Sequence, residues 1–158
     1  MKLNDSIDMK GRMTLRLHDR EGRVVREVAA DNDIVLTGRD LVAKLFAKID
    51  GATPISHIAV GTGTNQIDPT KDEKLGSELF RKTINPITTK DIVATTDGKM
   101  RVTISAELNN DEANGPLTEA GMFNDPLKDT GVMYNRVKFD VVNKTSDFRL
   151  TIVWEILF

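Results

Sequence analysis

Phe148-Arg149-Leu150-Thr151-Ile152-Val153-Trp154-Glu155-Ile156-Leu157-Phe158 ends the sequence, and its spacing decides the fold. Phe148, Leu150, Ile152, Trp154, Ile156 and Phe158 fall on every second residue, the period at which an extended strand presents one face. Burying each large apolar side chain is worth about 1.5–3 kcal/mol, so a face of this kind has to be covered. The stretch therefore reads as a core strand with Trp154 as its largest structural side chain. Arg149, Thr151 and Glu155 fall on the opposite face.

The same period returns in Met100, Val102, Ile104, Ala106 and Leu108, behind a turn at Asp97-Gly98. This reads as a hairpin whose first arm runs from near Leu79 through Ile84 and Ile87 to Ile92-Val93. A second hairpin, about residues 13–28, joins Met13-Thr14-Leu15-Arg16-Leu17 to Val24-Val25-Arg26-Glu27-Val28 across Asp19-Arg20-Glu21-Gly22. It is expected to be either a docking arm or two more strands of the main sheet. Ile55 to Val60 and Val132 to Val142 read as further strands, and Leu117 to Phe123 as a short element between turn-rich connections. Asn65 to Ser77 is polar, contains Pro69, and reads as a long surface loop.

One helix is expected, about residues 38–49. Thr37 is placed to cap it, Gly51 to stop it, and Leu41, Val42, Leu45, Phe46 and Ile49 lie at helical spacing. The expected fold is mainly β, an antiparallel β-sandwich with this amphipathic helix packed on it, forming a single domain over 1–158.

Composition narrows the function. The chain has 158 residues with 22 basic and 24 acidic side chains, a net charge of −2, interspersed without a basic patch, so no nucleic-acid partner is expected. With no cysteine there is neither a disulfide framework nor a thiolate site. Met1 to Asp8 has no long apolar run, and no stretch has the length of a membrane span, so neither a signal peptide nor a membrane is expected.

Candidate chemistry is sparse. Gly61-Thr62-Gly63-Thr64 follows a strand, but a phosphate loop needs a helix opening directly behind its glycines, and Asn65-Gln66-Ile67-Asp68-Pro69 does not supply one. His18 and His57 lack neighbouring ligands at zinc spacing. Ser56, His57 and a carboxylate such as Asp50 have the residue types of a hydrolytic site, but adjacent Ser56 and His57 on a strand would point to opposite faces, which rules out the pair. Neither Asp68, Asp72 and Glu73 nor Asp31 and Asp33 have the spacing of a calcium loop. No cofactor, metal or catalytic residue is expected. Glu119, set among apolar and small residues in Pro116-Leu117-Thr118-Glu119-Ala120-Gly121-Met122-Phe123, reads as a structural acid that accepts backbone amides at a tight turn and pairs with Arg81 or Arg136.

Four pieces in order carry a family likeness. Ile58-Ala59-Val60-Gly61-Thr62-Gly63, followed by Asp68, Leu75 and Glu78-Leu79-Phe80-Arg81, opens the pattern. Gly115 to Phe123, Met133-Tyr134-Asn135-Arg136-Val137 and Trp154-Glu155-Ile156-Leu157-Phe158 complete it. Over about residues 34–158 the chain resembles the tail-fibre and baseplate-associated structural domains of tailed bacteriophages, of the kind found at the N-terminus of tail-collar fibres. The resemblance implies a virion protein assembled in the host cytoplasm, an oligomeric adaptor in the tail, baseplate or neck, trimeric or ring-like. Its partners would be neighbouring virion proteins. The contact residues expected are Thr62, Thr64, Asn65, Gln66, Asp68 and Lys71 in one loop, and Asn109, Asn110, Asp111, Glu112 and Asn114 in another. A receptor- or glycan-binding module at a tail tip is the alternative, weakened by the scarcity of aromatics, 5% of residues.

Overall fold

A computed structural model describes residues 8–158; the stretch 1–7, most of the segment read above for a signal peptide, lies outside the described residues. Among the described residues, nine strands and one α-helix form a mainly β domain. The strands are β1 (Lys10–His18), β2 (Val24–Ile34), β3 (His57–Gly61), β4 (Glu78–Thr83), β5 (Ile92–Ala94), β6 (Met100–Leu108), β7 (Gly115–Phe123), β8 (Met133–Lys144) and β9 (Arg149–Leu157). The helix, α1, spans Leu36–Ala47.

All strands belong to one antiparallel sheet in the order β4-β3-β7-β8-β2-β1-β9-β6-β5. The two layers of the expected sandwich are thus two halves of a single curled sheet. They are joined where Asp33 and Ile34 of β2 pair with Arg136 and Asn135 of β8, and the pairing stops there. On the far side Asn85 N–H donates to Ser105 O (2.7 Å) and the Asn85 amide to Ser105 Oγ (2.9 Å), tying the segment after β4 to β6. Between the halves lies one apolar core, drawn from β1, β6 and β9 on one side and β3, β7 and β8 on the other.

The closing strand behaves as its period predicts over its middle. Leu150, Ile152, Trp154 and Ile156 are buried, whereas Phe148 is half-buried and Phe158 exposed, because both lie beyond the ends of β9. Val153 and Leu157 on the second face are half-buried beside β1 and β6. The Trp154 indole N–H donates to Asn32 Oδ1 (2.6 Å), reaching over β1 to the strand on its other side.

The N-terminal hairpin is no appended arm. β1 pairs with β9 along its whole length, which puts the hairpin in the middle of the sheet. The expected long first arm of the second hairpin divides in two. Residues 78–83 pair with β3, and only Ile92–Ala94 pair with β6 across the Asp97-Gly98 turn. Between them Pro86, which has no N–H to donate, and a Thr88–Asp91 capping box around a short 3₁₀ turn interrupt the ladder. The short element expected at 117–123 is β7, nine residues long and the most continuously buried strand of the sheet.

The helix begins two residues earlier than expected. Val35 is its extended N-cap, and the Thr37 hydroxyl donates to Met133 O (2.8 Å) instead of capping. The helix ends at Lys48, which takes the left-handed conformation (φ 54°), ahead of the expected Gly51. Contact with β8 is made by the first turns: a side chain at Gly38 would overlap the Tyr134 carbonyl, and Leu41 is buried. Val42 is half-buried against the core, and the expected apolar stripe beyond it is not covered. Leu45 and Ile49 are exposed, and Phe46 keeps 94% of its surface in solvent. Among the described residues no helix is long and apolar enough to cross a membrane.

Candidate functional site

The outer face of the β3-β7-β8 layer carries the densest polar chemistry in the molecule. On β7, Ala120 and Met122 point into the main core, so alternation places Glu119, Gly121 and Phe123 on the outer face. Arg136 of β8 lies opposite Gly121 and joins them there. In most sheets of this size such a face meets water. Here residues 62–77, between β3 and β4, fold back across it, and Leu75 packs with Val35, Ala59, Phe123 and Met133 in a second, smaller core.

Glu119 and Arg136 hold that segment down, and both side chains are fully buried. One carboxylate oxygen, Oε1, accepts from the N–H groups of Gly63 (2.8 Å) and Ser77 (2.8 Å). The other, Oε2, accepts from Gly76 N–H (3.0 Å) and from Arg136 Nη2 (2.7 Å) and Nε (3.0 Å). Arg136 turns its remaining donors outward, to Asp72 Oδ2 (2.8 Å) and Asn65 Oδ1 (2.9 Å). A buried charge is tolerable only when its hydrogen-bonding capacity is filled, and this pair fills it from both ends of one loop.

The glycines follow from the same geometry. A Cβ on Gly63 or Gly61 would crowd Glu119 Oε1, and one on Gly76 would overlap the Asn65 side chain. Gly61-Thr62-Gly63-Thr64 is therefore shaped to admit a carboxylate from its own sheet. Thr118 adds a bond from its hydroxyl to Gly63 O (2.8 Å), and Lys138 one to Thr64 O (2.6 Å).

The structure thus pairs Glu119 with Arg136, one of the two expected partners, and with amides of the long loop instead of a turn beside it. Arg81 goes elsewhere. It forms a two-pronged pair with Glu78 (2.8 Å each), lies 3.9 Å over the Phe123 ring, and donates to Asp125 O (2.8 Å) and Thr130 O (3.1 Å). It thereby anchors the connection between β7 and β8.

The two expected contact loops are less free than a polar surface loop suggests. In the first, Thr64, Asn65, Gln66 and Lys71 are exposed while Thr62 and Asp68 are half-buried. Asp68 accepts from the hydroxyl and N–H of Thr70, which hold its carboxyl below the ordinary value, and Pro69 O accepts from Leu36 N–H (2.7 Å). In the second, Asn109, Asp111 and Asn114 are exposed, and Asn110 and Glu112 are half-buried. Burial would raise the Glu112 carboxyl, but bonds from Lys82 Nζ (2.7 and 2.8 Å) and Asn109 N–H (2.9 Å) outweigh it and leave it lowered.

Ser56 and His57 do meet, contrary to the alternation argument. Ser56 precedes β3, so its side chain is free of the strand's alternation, and its Oγ lies 2.8 Å from His57 Nδ1. The other ring nitrogen is taken by Thr83 Oγ1 (3.1 Å), and Asp50 lies near Lys44. Burial and then the Arg81 charge lower the His57 pKa. Asp31 is paired with Arg12 and Asp72 with Arg136, and the described residues hold no group of three or more potential metal ligands.

Sequence reasoning missed the exposed Leu45, Phe46 and Ile49 because helical spacing cannot tell which part of a stripe finds a partner. Fold and site define a mainly β domain with a buried ionic clamp under a folded-back loop. The chain matches no protein-family model, no curated protein and no solved structure.

Proposed function

We propose that this chain is a non-catalytic structural subunit of a tailed-phage or related contractile particle, an oligomeric adaptor in its tail, baseplate or neck. The observation that carries the reading is how the residues of the sequence likeness are used. Gly61, Gly63, Glu119 and Arg136 come from three of its four pieces, and all act on the loop at 62–77. Glu78 and Arg81, from its first piece, anchor the connection after β7. Groups of this kind are spent on holding shape. What they present outward is a pinned loop with Thr64, Gln66 and Lys71 in solvent, near α1 through the Pro69–Leu36 bond. A rigid loop docks with little loss of conformational entropy.

The exposed Leu45, Phe46 and Ile49 supply an apolar surface suited to a protein neighbour. Trp154 and Tyr134 are buried, which removes two of the rings a sugar would stack on and disfavours the glycan-binding alternative.

The test is incorporation. A variant with Thr64→Ala, Gln66→Ala and Lys71→Glu should fold normally by circular dichroism yet be depleted from purified particles, as read by quantitative mass spectrometry. Normal incorporation would remove the loop from the contact surface, and absence of the wild-type chain from particles would end the structural reading. Deleting residues 65–71 is a poorer experiment, because Asn65 bonds Arg136 and Pro69 bonds the helix.

A further inference from the structure

The corner of the sheet formed by β5, β6 and the end of β9 stays apolar on its inner face beyond the point where the core stops. Val102, Ile104 and Phe158 form one wall of a groove there, and Val42 and Leu45 of α1 form the other. Ile92 pairs directly with Val102, and Met100 exchanges two backbone bonds with Phe158, so both lie on the face that Val102 and Phe158 present. Ile92, Met100 and Phe158 are nevertheless exposed. So are Leu45, Phe46 and Ile49 on the helical wall, the last two one turn beyond Val42 and Leu45. Six of the fourteen large apolar side chains exposed among the described residues thus gather on the two sides of one groove, a concentration that marks an interaction surface.

We propose that a second copy of this chain covers this surface, the α1 stripe of each copy lying on the open β5–β6–β9 corner of the other. A helix stripe and an apolar sheet face are surfaces that bury each other in layered folds, and here both are left open on the same side of one molecule. An occupant that covers both at once has to present a helix stripe and a sheet face of its own, and a second copy does. The sizes agree as well. The groove has a volume of about 140 Å³ between apolar walls, and an apolar cavity of about 150 Å³ takes up a benzene-sized ring. Phe46 is the most exposed large apolar residue described and carries such a ring.

Because stripe and corner belong to one face, the contact uses the same patch on both copies, so it is two-fold and closes at two chains. Six side chains on each copy are few beside the roughly 20–30 residues a side of a standard interface, so the dimer should form reversibly at concentrations on the order of micromolar. The inference goes beyond the adaptor reading and does not rest on it. A monomer in solution would leave that reading standing, and failed incorporation into particles would leave the dimer standing.

The experiment is analytical ultracentrifugation of the full-length protein from about 1 μM to about 1 mM, over which the mass should rise from one chain to two. Phe46→Lys on the helix and Met100→Glu on the corner both change exposed residues. Each should fold as the wild type does by circular dichroism and raise the midpoint concentration about tenfold or more. Mixed in equal amounts, the two variants should associate more tightly than either alone, because their heterodimer keeps one intact helix-on-strand contact and pairs the new charges in the other. If Met100→Glu does not fold, Ile92→Glu makes the same comparison. A wild-type protein with the mass of one chain throughout would overturn the proposal and leave the groove to a different occupant. So would assembly beyond two chains, a dimer indifferent to Phe46→Lys, or a mixture that associates no better than its components.

Discussion

The two halves of the curled sheet are stabilised in different ways. In the half built on β1, β9 and β6, burial alternates residue by residue, and the outer face meets water through exposed pairs such as Arg16–Glu27 and Arg149–Glu107. In the other half, β7 is buried at seven consecutive residues, because the loop at 62–77 covers its outer face and the core covers its inner one. The first half follows the rule that one face of an antiparallel sheet is apolar. The second shows that a loop can replace water over a polar face, provided that every charge under it is paired. Stability is spread over many apolar contacts in one half and concentrated in a few polar groups in the other.

Removing one such group should have the largest effect. Glu119→Ala leaves the Arg136 guanidinium buried without its main partner and frees three loop amides, and should destabilise the domain by about 3–5 kcal/mol in urea unfolding. If the cost is that of an unpaired charge, Glu119→Leu combined with Arg136→Met should recover much of it. A double variant as unstable as the sum of its single changes would mean that the loop amides, and not the ion pair, carry the effect.

A smaller change is expected in the apolar half. Trp154→Phe keeps most of the buried ring but leaves Asn32 Oδ1 without its donor, beside an Asn32 Nδ2 that already lacks an acceptor. The expected loss is about 1–3 kcal/mol, measured in the same way. No loss at all would mean that the hydrogen bond contributes nothing beyond packing, and would sharpen the contrast with Glu119.

The smallest effect is one of acidity. The Thr130 hydroxyl, then Leu127 N–H and the Arg81 charge, hold the Asp125 carboxyl below its ordinary value of 3.8. A carboxylate with a lowered pKa contributes stability above that ordinary value and loses it as pH falls through the lowered one. The protection of amides across residues 124–131, taken relative to unstructured peptide at the same pH, should therefore fall below pH 3.8, while β9 and β1 remain protected. Simultaneous loss of protection in both halves would show that they open as one unit.

Much of the architecture was legible wherever one face is dry and the other wet. Period 2 in Met100 to Leu108 and Leu150 to Ile156 located β6 and β9, and Asp97-Gly98 located the turn before β6. It failed at β7, where burial on both faces erases the alternation and the strand reads as a short element. It failed also at α1, where the apolar stripe is real but only its first turns are covered. Glu119 was legible as a structural acid because a lone carboxylate among apolar residues needs donors. Its donors were not, because Gly63, Gly76 and Ser77 lie 42 to 56 residues away along the chain.

The sequence by itself determined a mainly β chain with one helix, a core strand around Trp154 and a glutamate that has to be satisfied internally. Only the tertiary structure decided that Arg136 and not Arg81 satisfies it, that the long loop is a cover instead of a free surface, and that the helix stripe is covered only in its first turns. Periodicity is set between near neighbours and survives in the sequence. A buried charge is paired across strands, and its partner is chosen by how the sheet curls.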